Sequence, residues 1–274
     1  MSSKTPNPER PASVTDNPWR RLREYTDARI GLGRAGGSLP TAAQLEFQLA
    51  HAQARDAVHL ALDTERMVTK LSEHFDLVLR LHSAAHERSE YLRRPDLGRR
   101  LDEASARQLS ELNTPPCDVA LCVVDGLSSR AIHENALPFL DALLPLIEEE
   151  GWLTGPLALV EQGRVAIGDP IGEALNARMG VVLIGERPGL SSPDSLGIYF
   201  TWAPCTGRRD SERNCISNVR PRGQSYDAAA RLLVYLMREA STLGVSGVAL
   251  KDNSEAESQL GGGGGIQGNF LLPR

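Results

Sequence analysis

Three short loops that carry glycine and charged residues follow apolar runs in the second half of the chain. They contain Asp125-Gly126, Gly163-Arg164-Val165 and Gly185-Glu186-Arg187-Pro188. If the apolar runs are parallel strands, their carboxyl ends meet at one edge of a sheet, where open α/β sheets usually bind ligands. The sequence therefore predicts one shared site. Taken alone, the last loop also fits an ordinary strand end with a solvated ion pair.

Two further segments could approach an anion. Residues 29–37 contain four glycines between arginines, which is typical of a backbone that must come close to an anion, although a flexible turn between two helices would look the same. Residues 91–101 contain four arginines around Asp96, so a carboxylate or phosphate partner would relieve their repulsion. A solvated basic face is the alternative. Asp96 is also expected to cap a helix that continues to residue 112.

Strands and helices alternate after the likely boundary at Pro115-Pro116. Continuous apolar runs predict buried strands, and an alternating pattern predicts one more, over residues 118–124, 157–160, 181–184 and 196–202. Helices are predicted over residues 130–150 and 226–240. Pro138 and Pro145 are expected to interrupt or break the first of these helices. Asp169 is expected to cap a short helix between two of the strands.

The first half of the chain has mainly helical patterns. A helix that begins near residue 41 has an apolar stripe of Leu45, Leu49 and Ala52. A second helix carries Met67 and Leu71 on its apolar face, and residues 77–82 show a weak strand alternation.

The predicted fold class is α/β. An N-terminal helical domain over residues 19–114 is followed by a Rossmann-like three-layer αβα domain over residues 115–250, with a mostly parallel sheet. Residues 1–18 are predicted to be a disordered leader because they are polar and have no apolar period. Residues 251–274 contain five consecutive glycines and are predicted to be a flexible tail.

Composition excludes several classes of protein. The chain has 274 residues and a net charge of −5, which argues against nucleic acid as the main partner. Its four cysteines form no Cys-x-x-Cys pair, so neither a disulfide scaffold nor a zinc site is expected. No apolar stretch is long enough to span a membrane, and residues 1–10 have no signal-peptide core. A cytoplasmic protein in a reducing compartment is expected.

Taken together, the motifs resemble the small (light) subunit of ethanolamine ammonia-lyase. The similarity covers about residues 21–247 in the family's order, and the combination is far more specific than any single motif. The segments that carry it are Gly33-Arg34-Ala35-Gly36, residues 92–101, Asp125-Gly126-Leu127-Ser128, Gly163-Arg164-Val165, Asp169-x-Ile171-Gly172-Glu173, residues 185–190 and Cys215-Ile216-Ser217-Asn218.

The resemblance implies an adenosylcobalamin-dependent enzyme that converts ethanolamine to acetaldehyde and ammonia. In that family a large TIM-barrel subunit carries the substrate site, and the small subunit closes over the cobalamin where the two chains meet. The assembly contains several copies of each subunit. The present chain would then be inactive alone. No catalytic residue and no metal ligand is assigned to it, because the cofactor carries the chemistry.

The resemblance implies three cofactor-binding residues. Val165 would lie against the corrin or its side chains, Glu186 would accept a hydrogen bond from a cofactor amide or hydroxyl, and Cys215 would lie near the cofactor's periphery. Each has a simpler explanation. Val165 could be a core residue, Glu186 could pair with Arg187, and Cys215 could be a buried small hydrophobic residue.

Some relatives carry an amphipathic leader that targets a bacterial microcompartment. Residues 1–18 here have no apolar face, which argues against encapsulation, so the cytoplasm is expected and a microcompartment is the alternative. Two other functions compete with the lyase subunit. A free nucleotide-binding domain would need Gly-x-Gly-x-x-Gly after its first strand, and Asp125-Gly126-Leu127-Ser128 is not that motif. A purely structural protein would leave the three loops without a common ligand, and an exposed apolar patch beside them would favour the lyase subunit.

Overall fold

The computed structural model describes residues 13–252, which form a mixed α/β structure around a six-stranded sheet. The strands are β1 (Val78–His82), β2 (Val119–Val124), β3 (Leu157–Glu161), β4 (Met179–Gly185), β5 (Leu196–Trp202) and β6 (Arg213–Val219). Their order across the sheet is β1-β3-β2-β4-β5-β6. The first four strands in this order are parallel, and β5 and β6 are added antiparallel at one edge. The predicted α/β class and mostly parallel sheet are confirmed.

Seven α-helices accompany the sheet in the described residues. They are α1 (Thr41–His59), α2 (Thr64–Leu71), α3 (Arg88–Arg93), α4 (Glu103–Glu111), α5 (Ser129–Glu149), α6 (Gly168–Ala174) and α7 (Tyr226–Leu243). The predicted weak strand near residue 80 is β1, which pairs with β3. One strand of the sheet therefore comes from the range predicted as a helical domain. The division into a helical and a Rossmann-like domain stays a prediction.

Helices cover both faces of the sheet, which explains why β2 and β4 are apolar throughout. Every residue of β2 and β4 is buried. Leu121 and Val123 belong to one apolar cluster, together with residues of α2, α5 and α7. Cys122 and Val124 point into a second cluster, together with residues of α4 and α6. A strand that is buried on both faces has no polar positions, so it forms a continuous hydrophobic run.

Two predicted helix caps are wrong because the carboxylates are used in ion pairs. Asp96 accepts hydrogen bonds from Nε and Nη2 of Arg94 at 2.9 and 2.8 Å, and its side chain makes no cap hydrogen bond to the short 3-10 helix that follows, Leu97–Arg99. The helix begins later, at α4, where Asp102 accepts a hydrogen bond from the backbone N–H of Ser105 at 2.7 Å. Asp169 lies inside α6 and pairs with Arg213. A guanidinium that offers two parallel donors outcompetes a single backbone N–H for a carboxylate.

The expected interruption of the long helix is also wrong. α5 continues through Pro138 and Pro145 without a break.

The polar stretch after residue 210 contains β6, which no apolar pattern predicted. In β6, only Arg213, Ile216 and Val219 are buried. An edge strand with so few buried positions has no regular alternation, so its sequence does not resemble a strand.

The apolar stripe of α1 exists, but it faces away from the chain's own core. Leu45 and Leu49 are 59% and 60% exposed. The buried positions of α1 are Ala50, Ala54 and Ala57, on the side that packs against α5. The glycine-rich segment before α1 packs on its own chain, since a Cβ at Gly33 would lie 2.7 Å from the carbonyl oxygen of Thr15.

Two predicted segments lie mainly outside the described residues. They are the disordered leader over residues 1–18, of which the structure describes only residues 13–18, and the flexible tail over residues 251–274, of which it describes only residues 251–252. Within residues 13–252, no helix combines the length and the apolar character that crossing a membrane requires.

Candidate functional site

A cavity of about 620 Å³ lies at the carboxyl ends of β2, β3 and β4. All three loops predicted from the sequence contribute to its wall: Gly126 and Leu127 after β2, Arg164 and Val165 after β3, and Glu186 and Arg187 after β4. The predicted convergence of these loops is confirmed. The parallel order β3-β2-β4 causes it, because the carboxyl ends of neighbouring parallel strands lie at the same sheet edge.

The loops after β2 and β4 are in direct backbone contact. The backbone N–H of Leu127 donates to the carbonyl oxygen of Gly185 at 2.8 Å. Gly126 has a φ of +58°, and a Cβ there would lie only 2.3 Å from that same oxygen. A Cβ at Gly185 would lie 2.1 Å from the carbonyl oxygen of Ser128. Only glycine fits such an approach, so both glycines of the motif serve to bring the two loops together.

The loop after β3 is held by the buried carboxylate of Asp125. Its Oδ1 accepts a hydrogen bond from the backbone N–H of Gly163 at 3.1 Å. Its Oδ2 lies 3.4 Å from Nη1 of Arg88, which also donates to the carbonyl oxygen of Gly126 at 2.8 Å. Asp125, at the end of β2, therefore fixes the start of the loop after β3. Burial raises the pKa of Asp125 to about 6, and Arg88 and the nearby backbone N–H groups offset this effect only in part.

Tyr91 lines the cavity and is fully buried. Its hydroxyl donates to the carbonyl oxygen of Gly163 at 2.9 Å. The guanidinium groups of Arg88 and Arg164 lie 4.8 and 4.1 Å from the centre of its ring. Burial raises the pKa of the Tyr91 hydroxyl, so it stays a neutral donor. Tyr91 thereby couples α3 to the loop after β3.

The arginine-rich segment after Tyr91 reaches the same loop. The backbone N–H of Arg164 donates to the carbonyl oxygen of Gly98 at 2.7 Å, and a Cβ at Gly98 would lie 2.8 Å from Cγ of Arg164. Of the segment's arginines, Arg94 is neutralised by Asp96, and Arg99 lies 3.5 Å from Asp210. Most of the charge that suggested an anion therefore has a partner within the chain.

Glu186 is half-buried at the cavity wall. Its Oε2 accepts hydrogen bonds from the hydroxyl of Ser195 and from the backbone N–H of Asn218, the latter at 3.2 Å. The described residues place no donor within hydrogen-bond distance of Oε1 and no ion pair between Glu186 and Arg187. The alternative of an ion pair with Arg187 is therefore wrong, and the carboxylate is held in place by Ser195, Asn218 and Gly197.

Val165 and Cys215 occupy different positions relative to the cavity. Val165 begins a short 3-10 helix, Val165–Ile167, and lines the wall while its other side contacts the apolar cluster under α4 and α6. Cys215 is exposed on β6, opposite Tyr199 of β5, and it is Tyr199 that lines the cavity. Desolvation raises the pKa of the Cys215 thiol. The structure thus brings Val165 and Glu186 together and leaves Cys215 beside their cavity.

Several wall residues were not expected from the sequence. Tyr199, Asp210 and Arg213 contribute to the cavity from β5, β6 and the turn between them. Arg213 is buried and pairs with Asp169, with two nitrogen–oxygen distances of 2.6 and 2.7 Å. A polar run without alternation carries no signal that it returns to the sheet. The partner of Arg213, Asp169, did stand out in the sequence, as an acidic residue next to a proline, but this pattern predicted a helix cap and not an ion pair.

The wall combines apolar surface with fixed polar groups. Leu127, Val165, Ala166 and Tyr199 supply the apolar part, and Glu186 adds an acceptor. The Nε of Arg164 is buried without an acceptor in the described residues. Such a wall suits a ligand that has both apolar and hydrogen-bonding parts. Within residues 13–252 there is no group of three or more side chains with metal-ligating atoms.

The fold and the cavity define the class of protein: a mixed α/β chain with a ligand-sized cavity at the carboxyl ends of parallel strands. The family model of the ethanolamine ammonia-lyase light chain (EutC) matches residues 16–251. The chain belongs to this family, which confirms the resemblance of its motifs.

Three similar proteins carry the name ethanolamine ammonia-lyase small subunit. The protein of Pseudomonas putida strain GB-1 is 55% identical over 99% of both chains. That of Pseudomonas paraeruginosa strain PA7 is 57% identical over 96% of this chain and 97% of its own. That of Azotobacter vinelandii strain DJ is 56% identical over 94% of this chain and 97% of its own.

Proposed function

We propose that this chain is the subunit that closes over adenosylcobalamin in an ethanolamine ammonia-lyase, which converts ethanolamine to acetaldehyde and ammonia. The observation that carries the proposal is that three family motifs form one shared cavity, with Val165 and Glu186 in its wall. The partner is a large subunit that carries the substrate site, in a hetero-oligomer with several copies of each chain. The complex acts in the cytoplasm or inside a bacterial microcompartment.

In this proposal, each residue to which we assign a role either binds or shields the cofactor. Val165 and Tyr199 offer apolar surface to the corrin, and Glu186 accepts a hydrogen bond from the cofactor. Cys215 lies at the periphery, next to Tyr199. Adenosylcobalamin supplies the radical chemistry when it is bound. The chain's own task is to orient the cofactor and to keep water from it, and we assign no catalytic residue to the chain.

The apolar surface of the chain supports a partner on the cavity side. Leu45 and Leu49 are exposed on one face of α1, and Leu49 lines a surface depression together with Leu190. The segment before α1 contacts the continuation of the Glu186 loop, because Arg29 Nη2 donates to the carbonyl oxygen of Leu190 at 3.4 Å. An apolar patch that is continuous with a ligand-binding loop is typical of an interface that shares the ligand.

The nucleotide-binding alternative is disfavoured by the start of α5. A dinucleotide-binding fold places its pyrophosphate on the first helix N-terminus after the glycine loop. Here Ser128 and Ser129 are completely buried, and the Ser128 hydroxyl donates to the carbonyl oxygen of Pro193 at 2.8 Å. The loop after β4 therefore occupies the position that a phosphate would need.

The test is an assay of acetaldehyde formation from ethanolamine with adenosylcobalamin. It compares this chain alone, the large subunit alone, and both after co-expression. We expect turnover only from the complex. In the complex, Glu186→Ala should raise the Kd for adenosylcobalamin about tenfold, the effect of losing one hydrogen bond to a charged acceptor. Glu111→Ala, at an exposed position of α4, is the matched control. A folded complex that neither binds the cofactor nor turns over would refute the proposal.

A further inference from the structure

Four arginines line the cavity, and only two of them are neutralised by carboxylates. Arg213 forms a bidentate pair with Asp169, and Arg99 lies 3.5 Å from Asp210. Arg164 and Arg187 have no carboxylate within ion-pair distance among residues 13–252. Two guanidinium groups of the wall, one on the loop after β3 and one on the loop after β4, therefore have no ion-pair partner, while Glu186 is the one wall carboxylate without a cationic partner among the described residues.

Arg164 is held rigidly, yet most of its donors have no acceptor. Its guanidinium stacks on the Tyr91 ring at 4.1 Å, and Nη2 donates to the carbonyl oxygen of Tyr91 at 3.2 Å. Its Nε is buried and without an acceptor in the described part of the chain. A guanidinium has five N–H groups, and among the described residues this one makes a single hydrogen bond, from Nη2. The Nη1 donors are not buried, so they can reach an acceptor on a ligand in the cavity.

Arg187 is exposed at the cavity mouth and makes no hydrogen bond to any described residue. Its neighbour Glu186 makes no ion pair with it, because Ser195 and Asn218 hold that carboxylate in another direction. Reorienting this side chain towards a ligand breaks no contact with the described residues and costs only its rotamer entropy.

The strand order puts the two arginines on opposite sides of Gly126-Leu127. β3 and β4 both neighbour β2, so their ends are separated by two strand spacings, roughly 10 Å. Two long side chains can approach one anion from both sides of such a gap. Arginine is also the side chain best suited to a phosphate, because its planar fork offers parallel donors.

We propose that Arg164 and Arg187 form an anion-binding edge of the cavity, which holds the phosphodiester in the nucleotide loop of the cobalamin. This inference rests on the proposed function and adds which part of the cofactor faces this edge. The phosphodiester is the fixed anionic group of a cofactor that is otherwise edged with neutral amides, so it is the group that two free guanidinium groups would select.

The experiment measures equilibrium binding of two probes to the co-expressed complex by absorbance. Adenosylcobalamin contains the phosphodiester, and adenosylcobinamide lacks the nucleotide loop that contains it. Arg187→Gln should raise the Kd for adenosylcobalamin about tenfold and that for adenosylcobinamide less than about twofold. Arg93→Gln, an exposed arginine on α3 outside the cavity, is the control. Arg164→Gln should show the same selectivity. If Arg164→Gln fails to fold, Arg187→Gln alone still tests the inference.

The outcomes separate this inference from the proposed function. An equal loss for both probes, or no loss for either, would overturn the anion-binding edge while leaving the cofactor assignment intact. Equal affinity of the wild-type complex for the two probes would also overturn it, because the phosphodiester would then contribute nothing. If the wild-type complex binds neither probe, the proposed function fails together with the inference.

Discussion

At the scale of single residues, Asp125 has the widest influence on the site. Its carboxylate binds the backbone of the loop after β3 and the guanidinium of Arg88, which in turn holds the loop after β2. A buried carboxylate that is shared between two loops transmits any change in its own charge to both of them. Val165 and Glu186 lie in the cavity that these loops form, and their roles as cofactor ligands, like that of Cys215, stay predictions.

The raised pKa of Asp125 predicts a pH-dependent stability. Between pH 3.8 and about 6 the folded protein keeps a proton that the unfolded chain has released. The contribution of Asp125 to the free energy of unfolding should therefore fall as the pH rises through this window, by roughly 3 kcal/mol in total. This contribution is complete below pH 3.8 and lost above about 6. Urea unfolding at a series of pH values should show the slope in the wild type and its loss in Asp125→Asn.

The control for this prediction is Asp76→Asn, at an exposed position. It should leave the slope of unfolding free energy against pH unchanged. If Asp125→Asn retained the wild-type slope between pH 4 and 6, another group would be responsible for it, and the assigned pKa of Asp125 would be wrong.

At the scale of elements, the site depends on how closely the loops after β2 and β4 approach each other. Their glycines were visible in the sequence, but the contact between them was not. The same holds for Asp169: next to a proline it resembled a helix cap, whereas in the fold it neutralises Arg213 of β6. Local pattern gives the propensity of a segment, and a partner distant in sequence decides how its polar groups are used.

Gly126→Ala should destabilise the protein more than an ordinary glycine replacement. A Cβ at Gly126 would meet the carbonyl oxygen of Gly185 at 2.3 Å, in addition to the strain of a φ of +58°. Gly151 has a φ of +70° with nothing within 4 Å of a Cβ, so Gly151→Ala isolates the strain. We expect about 1 kcal/mol for Gly151→Ala and a further 1–3 kcal/mol, approximately, for Gly126→Ala. Chemical denaturation measures both, and equal losses would contradict the predicted clash.

At the scale of the whole molecule, the chain leaves apolar surface uncovered on the side of its cavity. The stripe of α1 would be core if another layer of this chain covered it, but among residues 13–252 Leu45 and Leu49 stay more than half exposed. Monomeric proteins rarely expose such patches without a binding role. With the proposed large subunit, this surface would be buried in the complex.

Leu45→Ser with Leu49→Ser should weaken the complex without unfolding the chain. Both side chains are exposed, so we expect a change of less than about 0.5 kcal/mol in the stability of the isolated chain. The affinity for the large subunit should fall about tenfold or more if they are central to the interface. Leu153→Ser is a matched control, since Leu153 is 66% exposed near the amino ends of β2 and β3, away from the cavity. Surface-based binding assays compare the variants, and an equal effect of Leu153→Ser would exclude a specific role for α1.

Local patterns were sufficient to locate the central strands, the long helices and the three loops, because strands buried on both faces leave continuous apolar runs that end abruptly at polar turns. The parallel order then followed from alternating strands and helices, and with it the meeting of the loops at one edge. The family motifs named the residues Val165 and Glu186, which the structure brings into one wall.

Other properties became visible only in the folded chain. β6 is not recognisable locally because few of its residues are buried, and the roles of Tyr91, Arg164 and Arg213 depend on neighbours far along the chain. The side towards which the apolar stripe of α1 faces also became visible only in the folded chain. A hydrophobic period indicates that a surface must be covered, but whether the cover comes from the same chain or from a partner depends on how the whole chain packs.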